Sequence, residues 1–365
     1  MSSEDAFWLA FSTVRGIGAV RFRKLLNFFG DLSVAWQANR SELISAGLTE
    51  KAVDQVFESR KNVIPENLET DLSRKAINYL TWNSPGYPRY LLEIAQPPPV
   101  LYFIGEILPD DDLAVAIVGT RNVTKYGRQI THDTASYLAA SGITVVSGLA
   151  RGVDGIAHQA AIEAGGRTFA VLGSGVDVIY PPEHRKLARE IAQHGAVISD
   201  YPPGTKPDGI NFPPRNRIIS GLSRGTVVIE AGERSGALIT AKFALEQGRD
   251  IFAVPGSVLS QMSKGTNQLI AEGATPMTNP VIITDTLNLA RTGKERKTEQ
   301  LDISAIEKNI LRVLGDENLH IDEICARTSL SIEKLTAELT MLELKGIVQR
   351  ENGMEYQRVK KWDIG

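Results

Sequence analysis

Between residues 113 and 285 the chain alternates short apolar runs with amphipathic segments, and this pattern restricts the fold more than any other feature of the sequence. The apolar runs are 113–118, 144–146, 168–172, 196–199, 226–230 and 251–254, and helical spacing recurs at 129–140, 156–164, 183–193 and 237–247. Runs that are apolar throughout are typical of strands buried on both faces, with helices as crossovers. We therefore predict an α/β fold with a Rossmann-like, doubly wound, mostly parallel sheet, whose ligands bind beyond the carboxyl ends of the strands.

A small helical domain is predicted for residues 1–65, before the sheet. Apolar residues at helical spacing flank the turn Val14-Arg15-Gly16-Ile17-Gly18, and Gly30 ends the second helix. This turn is similar to the hairpin of helix-hairpin-helix (SAM-like) domains, in which backbone N–H groups approach a phosphate. A purely structural turn is the alternative, because residues 1–60 carry seven Lys/Arg against seven Asp/Glu and offer no basic surface.

The remaining chain is divided into a sheet domain at 66–285, a polar linker at 286–302 and a C-terminal domain at 303–365. The first part of the sheet domain is rich in proline and holds one short predicted strand, 100–104. In the C-terminal domain three amphipathic helices precede two short strands, which is the winged-helix pattern. Its nine Lys/Arg against eleven Asp/Glu give a balance of −2, whereas helices that read the major groove are usually basic. We expect it to contact protein or to play an accessory role.

Glycine-bearing turns follow four of the predicted strands, all on one edge of the predicted sheet. Glycine lets backbone N–H groups turn toward an anion, and neighbouring hydroxyl and basic side chains add donors. Four such turns exceed what chain reversal requires, so they predict a long anion-binding rim. The rim residues are Gly119, Thr120 and Arg121; Gly148, Arg151 and Gly152; Gly173, Ser174 and Gly175; and Ser235 and Gly236. Asp154, which follows the second turn, is predicted to cap the next helix.

The stretch NFPPRNRIISGLSR, residues 211–224, precedes the last of these turns. Its proline pair fits the first turn of a helix, where a missing N–H costs little. Arg215, Asn216 and Arg217 are thereby placed near a helix N-terminus, where free N–H groups and the helix dipole favour an anion. A surface helix with two solvated arginines is the alternative.

The arginines of this stretch are not expected to act alike. Arg217 and Arg224 are seven residues apart, so we predict that they share one helical face. A carboxylate such as Glu230 is expected to hold Arg217. Arg215 and Arg121 then remain as the freer phosphate contacts.

Composition excludes several classes of protein. The net charge of −3 provides no global basic field, so any polyanion site must be a local concentration of arginine and backbone N–H groups. One cysteine rules out a disulfide framework and fits a reducing cytoplasm, and no zinc constellation is visible. No apolar segment is long enough to span a membrane, and the acidic N-terminus lacks the basic region of a signal peptide. No nucleophile–base pair stands out, so we predict no enzyme, no cofactor and no metal.

Taken together, these segments resemble the DNA-processing protein A family, also called Smf, over nearly the whole chain. The motifs that carry the resemblance are AIVGTR at 116–121, VSGLARGVD at 146–154, FPPRNRIISGLS at 212–223, and EA and RSG within 230–236, with PGS at 255–257 and GTNQLI at 265–270. The resemblance implies a Rossmann-like core that binds single-stranded DNA, protects it during natural transformation and helps to load the RecA recombinase.

The resemblance also assigns roles to particular residues. It implies that Arg121 contacts a phosphate and that Phe212 touches the strand. The family uses a lysine shortly before this phenylalanine, but residues 209–211 are Gly-Ile-Asn here, and Lys206 is the nearest lysine. Family members act as dimers, and Leu269 and Ile270 offer an apolar patch for such a contact, with burial in the core as the alternative. We expect salt-sensitive binding without sequence preference.

Two other functions fit parts of the sequence. A nucleoside-monophosphate phosphoribohydrolase also combines a Rossmann-like fold with a glycine-rich loop and a glutamate, which would make Glu230 the reacting residue. That class has the motif Gly-Gly-x-Gly-Thr-x-x-Glu, whereas residues 231–236 read AGERSG. The other candidate is a scaffold that holds recombination proteins and contacts DNA only secondarily.

Overall fold

A computed structural model describes residues 3–289, 304–315, 318–328, 330–344, 347–350 and 353–358. The chain forms two compact units, Met1–Gly293 and Lys294–Gly365. Most of the predicted linker, 290–302, lies outside the described residues. Within the described residues, no helix combines the length and the apolar character needed to cross a bilayer.

Six helices form the N-terminal part of the first unit. They are α1 (Ser3–Thr13), α2 (Ala19–Phe29), α3 (Leu32–Gln37), α4 (Arg40–Ser45), α5 (Glu50–Asn62) and α6 (Pro65–Arg74). Side-chain caps start several of them: Asn39 and Glu42 form a capping box at α4, and Thr49 accepts from the backbone of Ala52 at α5. Gly30 ends α2 with φ +71°, a conformation that glycine adopts without strain.

The predicted hairpin turn joins α1 to α2, and Gly16 in it has φ +86°. The carbonyl of Gly16 accepts a hydrogen bond from the guanidinium of Arg21. Aromatic side chains hold the helices together below the turn: Trp8 stacks on Phe22 at 5.6 Å between ring centroids, and Phe11 meets Trp36 edge-on at 5.0 Å. Each such buried ring contributes about 1.5–3 kcal/mol to folding.

A nine-stranded sheet follows, in the order β1-β2-β6-β5-β4-β3-β7-β8-β9. Its strands are β1 (Asn78–Thr81), β2 (Val100–Gly105), β3 (Ala114–Val118), β4 (Thr144–Ser147), β5 (Thr168–Val171), β6 (Gly195–Ser199), β7 (Gly225–Val228), β8 (Asp250–Ala253) and β9 (Thr275–Pro276). The pairs from β6 to β9 are parallel, whereas β2 runs antiparallel to β1 and β6. The predicted doubly wound, mostly parallel α/β sheet is confirmed.

The helices of this sheet are α7 (Arg89–Leu92), α8 (Lys125–Ala140), α9 (Val153–Glu163), α10 (Arg185–Gln193), α11 (Phe212–Gly221), α12 (Gly236–Glu246), α13 (Lys264–Ala271) and α14 (Val281–Thr286). One buried apolar layer packs α11 and α12 on one face of the sheet, and another packs α8 and α9 on the opposite face. The N-terminal helices share a further apolar cluster with β2, through Val100 and Tyr102. The helical segment and the sheet therefore share a core.

The winding direction of the chain reverses between β3 and β7. The chain moves from β3 through β4 and β5 to β6 on one side, then crosses back and continues through β7 to β9 on the other. Val118 and Val228, the last residues of β3 and β7, are register partners. The loops after them diverge at this point, and a crevice opens at the carboxyl edge of the sheet.

The C-terminal unit contains α15 (Ala305–Leu314), α16 (Ile321–Thr328) and α17 (Ile332–Leu344), with β10 (Leu319–His320), β11 (Val348–Arg350) and β12 (Glu355–Arg358). The strands form a sheet in the order β10-β12-β11, and the three helices pack on it through a leucine- and isoleucine-rich cluster. This is the predicted winged-helix arrangement of three helices and a hairpin.

Candidate nucleic-acid interface

The crevice at the reversal point is a cleft of about 850 Å³, which we call the strand-end cleft. The loops after β3 and β7 form its floor and one wall, and the first turns of α11 and α12 form the other walls. Of the predicted site residues, it brings together Gly119, Thr120, Arg121, Phe212, Arg215, Asn216, Ser235 and Gly236.

Arg121 occupies the mouth of the strand-end cleft. The backbone beneath it is fixed, because the N–H of Thr120 donates to the carbonyl of Glu230 at 2.8 Å and the carbonyl of Thr120 accepts from Val153. The Arg121 side chain is exposed, and no described residue forms a hydrogen bond or ion pair with its guanidinium. It also lines a second groove of about 980 Å³ between α8, α9 and α10. Arg121 therefore stands between two open surfaces with its charge available.

Arg215 is not the free cation that the sequence predicted. Its side chain is buried, 5% exposed, and its guanidinium donates to the carbonyl of Gly148 at 2.9 Å and to that of Val171. Burial lowers the pKa of Arg215 to about 10, while the nearby carboxylate of Asp154 opposes that shift. A Cβ on Gly148 would lie 2.8 Å from this guanidinium, so glycine is required there. Arg215 ties two strand ends together.

Arg217 is held, as predicted, but by a different carboxylate. Its guanidinium donates to Asp200 Oδ2 at 2.7 Å and to the carbonyl of Gln96, and both charged side chains are largely buried. Burial raises the pKa of Asp200, and Arg217 counteracts this. Arg224 does not share its helical face, because α11 ends at Gly221 and the Arg224 guanidinium lies 5.8 Å from the centre of the Tyr90 ring.

Glu230, the carboxylate expected to hold Arg217, binds Thr124 instead. Its two oxygens accept from the backbone N–H of Thr124 at 2.9 Å and from its hydroxyl at 2.5 Å. Glu230 is 2% exposed and does not line the strand-end cleft. The carboxylate therefore links the end of β7 to the start of α8.

Hydrogen bonds and close packing hold the loop between β4 and α9. Asp154 does not cap α9, because the N-cap of that helix is Gly152. The Asp154 carboxylate instead accepts from the N–H groups of Gly148 and Ala150 at 3.2 and 3.3 Å. Burial raises the pKa of Asp154, and the charge of Arg215 opposes the change. Gly152 has φ +77°, and a side chain there would meet the carbonyl of Thr120 at 2.4 Å. These hydrogen bonds and close contacts restrain the loop.

Two aromatic rings, Phe212 and Tyr180, line the strand-end cleft together with Arg121 and Arg215. Phe212, at the start of α11, packs so closely on Gly173 that a Cβ there would lie 2.9 Å from its ring. Tyr180 also contacts Phe212, with 5.8 Å between ring centroids and 42° between planes. Tyr180 is 39% exposed and shares a small recess with Arg121 and Arg151. The sequence prediction missed Tyr180, although an aromatic residue just after a glycine-bearing strand end was the signal available.

The other predicted residues are distributed along and around the cleft. Ser235 caps α12 by accepting from the N–H of Ala237, and Asn216 donates to the carbonyl of Gly236. Arg234, which the site prediction omitted, is exposed and lines the cleft. Arg151 is paired with Glu183 at 2.5 Å, with both side chains about half exposed.

Several predicted residues lie outside the cleft lining: Gly148, Arg151, Gly152, the turn 173–175, Lys206, Arg217, Leu269 and Ile270. Lys206 is exposed in the connection between β6 and α11, before the cleft residue Pro207. Leu269 and Ile270 lie on α13, and both are partly buried. Leu269 packs against the apolar layer beneath α11 and α12.

The first unit is a doubly wound sheet whose strand-end cleft is lined by arginines, aromatic rings and backbone N–H groups. A second unit has the winged-helix arrangement. These features define the class of this protein as a Rossmann-like protein with a winged-helix domain. Residues 78–288 match the family described as DNA recombination-mediator protein A, and residues 294–354 match the DprA winged helix domain. The chain belongs to the DNA processing protein A (DprA/Smf) family.

Relatives and solved structures agree with this assignment. Protein Smf of Synechocystis is 39% identical over 98% of this chain and 99% of its own length, and protein Smf of Escherichia coli is 34% identical over 94% and 95%. The structure of DNA processing protein A from Streptococcus pneumoniae covers 78% of this chain and 98% of its own, with 32% identity and a TM-score of 0.66.

A second similar structure is that of DNA processing protein A from Helicobacter pylori, described for its unique single-stranded DNA binding mode. It covers 58% of this chain and 95% of its own, with 34% identity and a TM-score of 0.53.

Proposed function

We propose that this protein binds single-stranded DNA without sequence preference, along the strand-end cleft. The observation that carries the proposal is the exposed guanidinium of Arg121 at the mouth of the cleft, with which no described residue forms a hydrogen bond or ion pair. Arg215, in contrast, is buried and its guanidinium donates to backbone carbonyls. A cation held by a fixed backbone and not neutralised by a described carboxylate is suited to a phosphate. The single-stranded DNA binding of the Helicobacter pylori relative supports the same assignment.

The distribution of donors favours binding without base readout. Arg121 and Arg234 are exposed cations, and Ser235 and Gly236 place the N-terminus of α12 in the same cleft. These groups suit a phosphate backbone, while Phe212 and Tyr180 offer ring faces that accept any base. Lys206, Arg151 and Gly152 complete the proposed interface at its edges. Gly148 has no free backbone donor for it, because its N–H donates to Asp154 and its carbonyl accepts from Arg215.

The site supports binding more than catalysis. The phosphoribohydrolase alternative depended on Glu230, and that carboxylate is buried and occupied by Thr124. A general acid or base needs hydrogen-bond reach to a substrate proton, and Glu230 does not line the cleft.

We further propose that the bound strand is protected in the cytoplasm and passed to a RecA-type recombinase, as in natural transformation. Membership of the recombination-mediator family supports this role. The protein acts as a homodimer through α13, where Leu269 and Ile270 lie, and the winged-helix unit has an accessory function. A scaffold role with secondary DNA contact remains the competing proposal, and it differs in predicting weak strand affinity.

The test is the affinity of the whole chain for a 20-nucleotide single strand, measured by fluorescence anisotropy from 50 to 300 mM salt. Removing Arg121 in Arg121→Ala should weaken binding on the order of tenfold. The slope of log affinity against log salt should become shallower by about 0.7, the loss of one single-strand phosphate contact. Lys206→Ala, measured in parallel, reports whether that lysine also contributes.

Lys242→Ala is the matched control, because Lys242 is an exposed cation whose ion pair lies within its own helix and away from the cleft. It should leave both affinity and slope unchanged. A wild-type plot that is flat in salt, or an equal loss in both variants, would remove the strand-end cleft as the binding site.

A further inference from the structure

Tyr180 is an aromatic side chain that stays exposed although its ring contacts Phe212. The loop after β5 carries it to the edge of the strand-end cleft, where 39% of it is exposed. One side of its ring leans on Phe212, and no described residue forms a hydrogen bond with its hydroxyl. Tyrosine combines a large apolar ring with a polar hydroxyl and is enriched at binding interfaces.

The surroundings of the Tyr180 ring offer the two groups that bind a nucleotide: an aromatic face for the base and cations for the phosphate. Arg121 and Arg151 line the same small recess as Tyr180, so cations lie beside the aromatic face. Phe212 cannot retreat from Tyr180, because the Gly173 backbone and the buried Arg215 guanidinium, 5.9 Å from its ring centre, support it. The rings of Phe212 and Tyr180 therefore form a supported aromatic pair at the cleft edge, next to Arg121, the proposed phosphate contact.

We propose that Tyr180 provides the stacking surface for one unpaired base of the bound strand, and that this contact makes the protein prefer single strands to duplex. The inference rests on the proposed function. Base–aromatic stacking needs a base face that is free, and duplex bases are already stacked on their neighbours. Stacking is also tolerant of sequence, because every base has a π-face.

The experiment distinguishes the contribution of the bases to binding affinity from that of the sugar–phosphate backbone. Affinities are measured for a 20-nucleotide thymidine strand, for an abasic strand of the same length and for a 20-base-pair duplex, each with wild type, Tyr180→Phe, Tyr180→Leu and Tyr180→Ala. We expect Tyr180→Leu and Tyr180→Ala to lose about tenfold in affinity for the thymidine strand only. Tyr180→Phe should retain wild-type affinity, because it keeps the ring.

Two controls protect the interpretation. Tyr180→Leu preserves apolar contact with Phe212, so it reports stacking even if Tyr180→Ala folds poorly. Tyr126→Ala removes another exposed tyrosine, whose hydroxyl donates to the carbonyl of Pro255 outside the cleft lining, and should change none of the affinities.

Equal losses on thymidine and abasic strands, or no loss on either, would overturn the stacking role while leaving single-strand binding intact. A wild-type protein without affinity for the thymidine strand would instead refute the proposed function, and the inference with it.

Discussion

Thr124 donates both its backbone N–H and its hydroxyl to the carboxylate of Glu230, at 2.9 and 2.5 Å. The pair joins β7 to α8 across the point where the sheet reverses its winding. A Cβ on Gly127 would lie 2.3 Å from Glu230 Oε2, so the first turn of α8 admits the carboxylate only because that residue is glycine. The helix N-terminus, with its free N–H groups, favours the negative charge that it receives.

Replacing this carboxylate should destabilise the first unit. In Glu230→Ala the Thr124 N–H and hydroxyl lose a charged acceptor, and a hydrogen bond to a charged group contributes about 1.5–3 kcal/mol. Guanidinium-induced unfolding measures the loss. Glu233→Ala is the control, because Glu233 is an exposed partner of Lys264, and it should change stability by less than about 0.5 kcal/mol. Equal unfolding midpoints for the two variants would contradict a structural role for the Glu230 pair.

Breaking the Arg217–Asp200 pair should affect folding more than DNA binding. Arg217→Met leaves the Asp200 carboxylate buried without its cation, and such a loss costs about 3–5 kcal/mol. Arg89→Met removes an exposed ion pair with Glu93 and should cost at most about 0.5 kcal/mol. For Arg217→Met molecules that remain folded, the salt slope of single-strand binding should equal that of wild type. A shallower slope would show that Arg217 contacts phosphate directly.

His158 should make stability depend on pH. Its Nδ1 donates to Thr168 Oγ1 at 2.7 Å, since that hydroxyl donates onward to Val145, and its buried Nε2 has no partner among the described residues. Burial, with repulsion from His184 and Arg215, lowers the pKa of His158 to about 3. The unfolded chain therefore binds one more proton than the folded chain between about pH 6.5 and pH 3.

Stability should consequently fall as pH decreases through this window, by about 1.4 kcal/mol per pH unit from this histidine. His158→Asn keeps a donor for Thr168 but does not titrate, so the wild-type curve should be steeper by that amount between pH 6 and pH 4. Urea unfolding at several pH values provides the measurement. Parallel curves would mean that His158 is protonated in the folded protein.

Ile270→Glu should convert the proposed dimer to a monomer, because a charge in an apolar interface is not compensated. Ile270 is a cleaner probe than Leu269, which packs against the core of its own chain. Mass is measured by light scattering after size-exclusion chromatography. Leu245→Glu, at a 70%-exposed leucine on α12, should leave the mass unchanged. An Ile270→Glu protein with wild-type mass would exclude α13 from the interface.

The sheet could be predicted from the sequence because its central strands are buried on both faces and therefore apolar throughout. Each predicted strand from 113–118 to 251–254 lies within two residues of the observed β3 to β8. The antiparallel strand β1 was not predicted, because Asn78–Thr81 is a short edge strand whose burial is partial. Its place in the sheet depends on pairing with β2, which is a tertiary contact.

The prediction that Arg215 is a free cation was wrong, and the reason is visible in the helical period. Arg215 lies three, four and seven residues before Ile218, Ile219 and Leu222, which are all buried, so it occupies the apolar face of α11. The expectation of a free cation relied on charge and overlooked this register. Periodicity could have identified Arg215 as buried, but it could not have identified the carbonyls of Gly148 and Val171 as its acceptors.

The sequence by itself determined the alternation of the central strands β3 to β8 with helices, the glycine-bearing strand ends, the winged-helix pattern and the single edge on which the candidate site lies. These features follow from local periodicity and backbone sterics. Only the tertiary structure decided which charges are neutralised. Glu230 binds Thr124, Asp200 binds Arg217, and Arg121 keeps its charge at the cleft mouth. Partners distant in sequence meet through packing, and burial then selects which polar groups must pair.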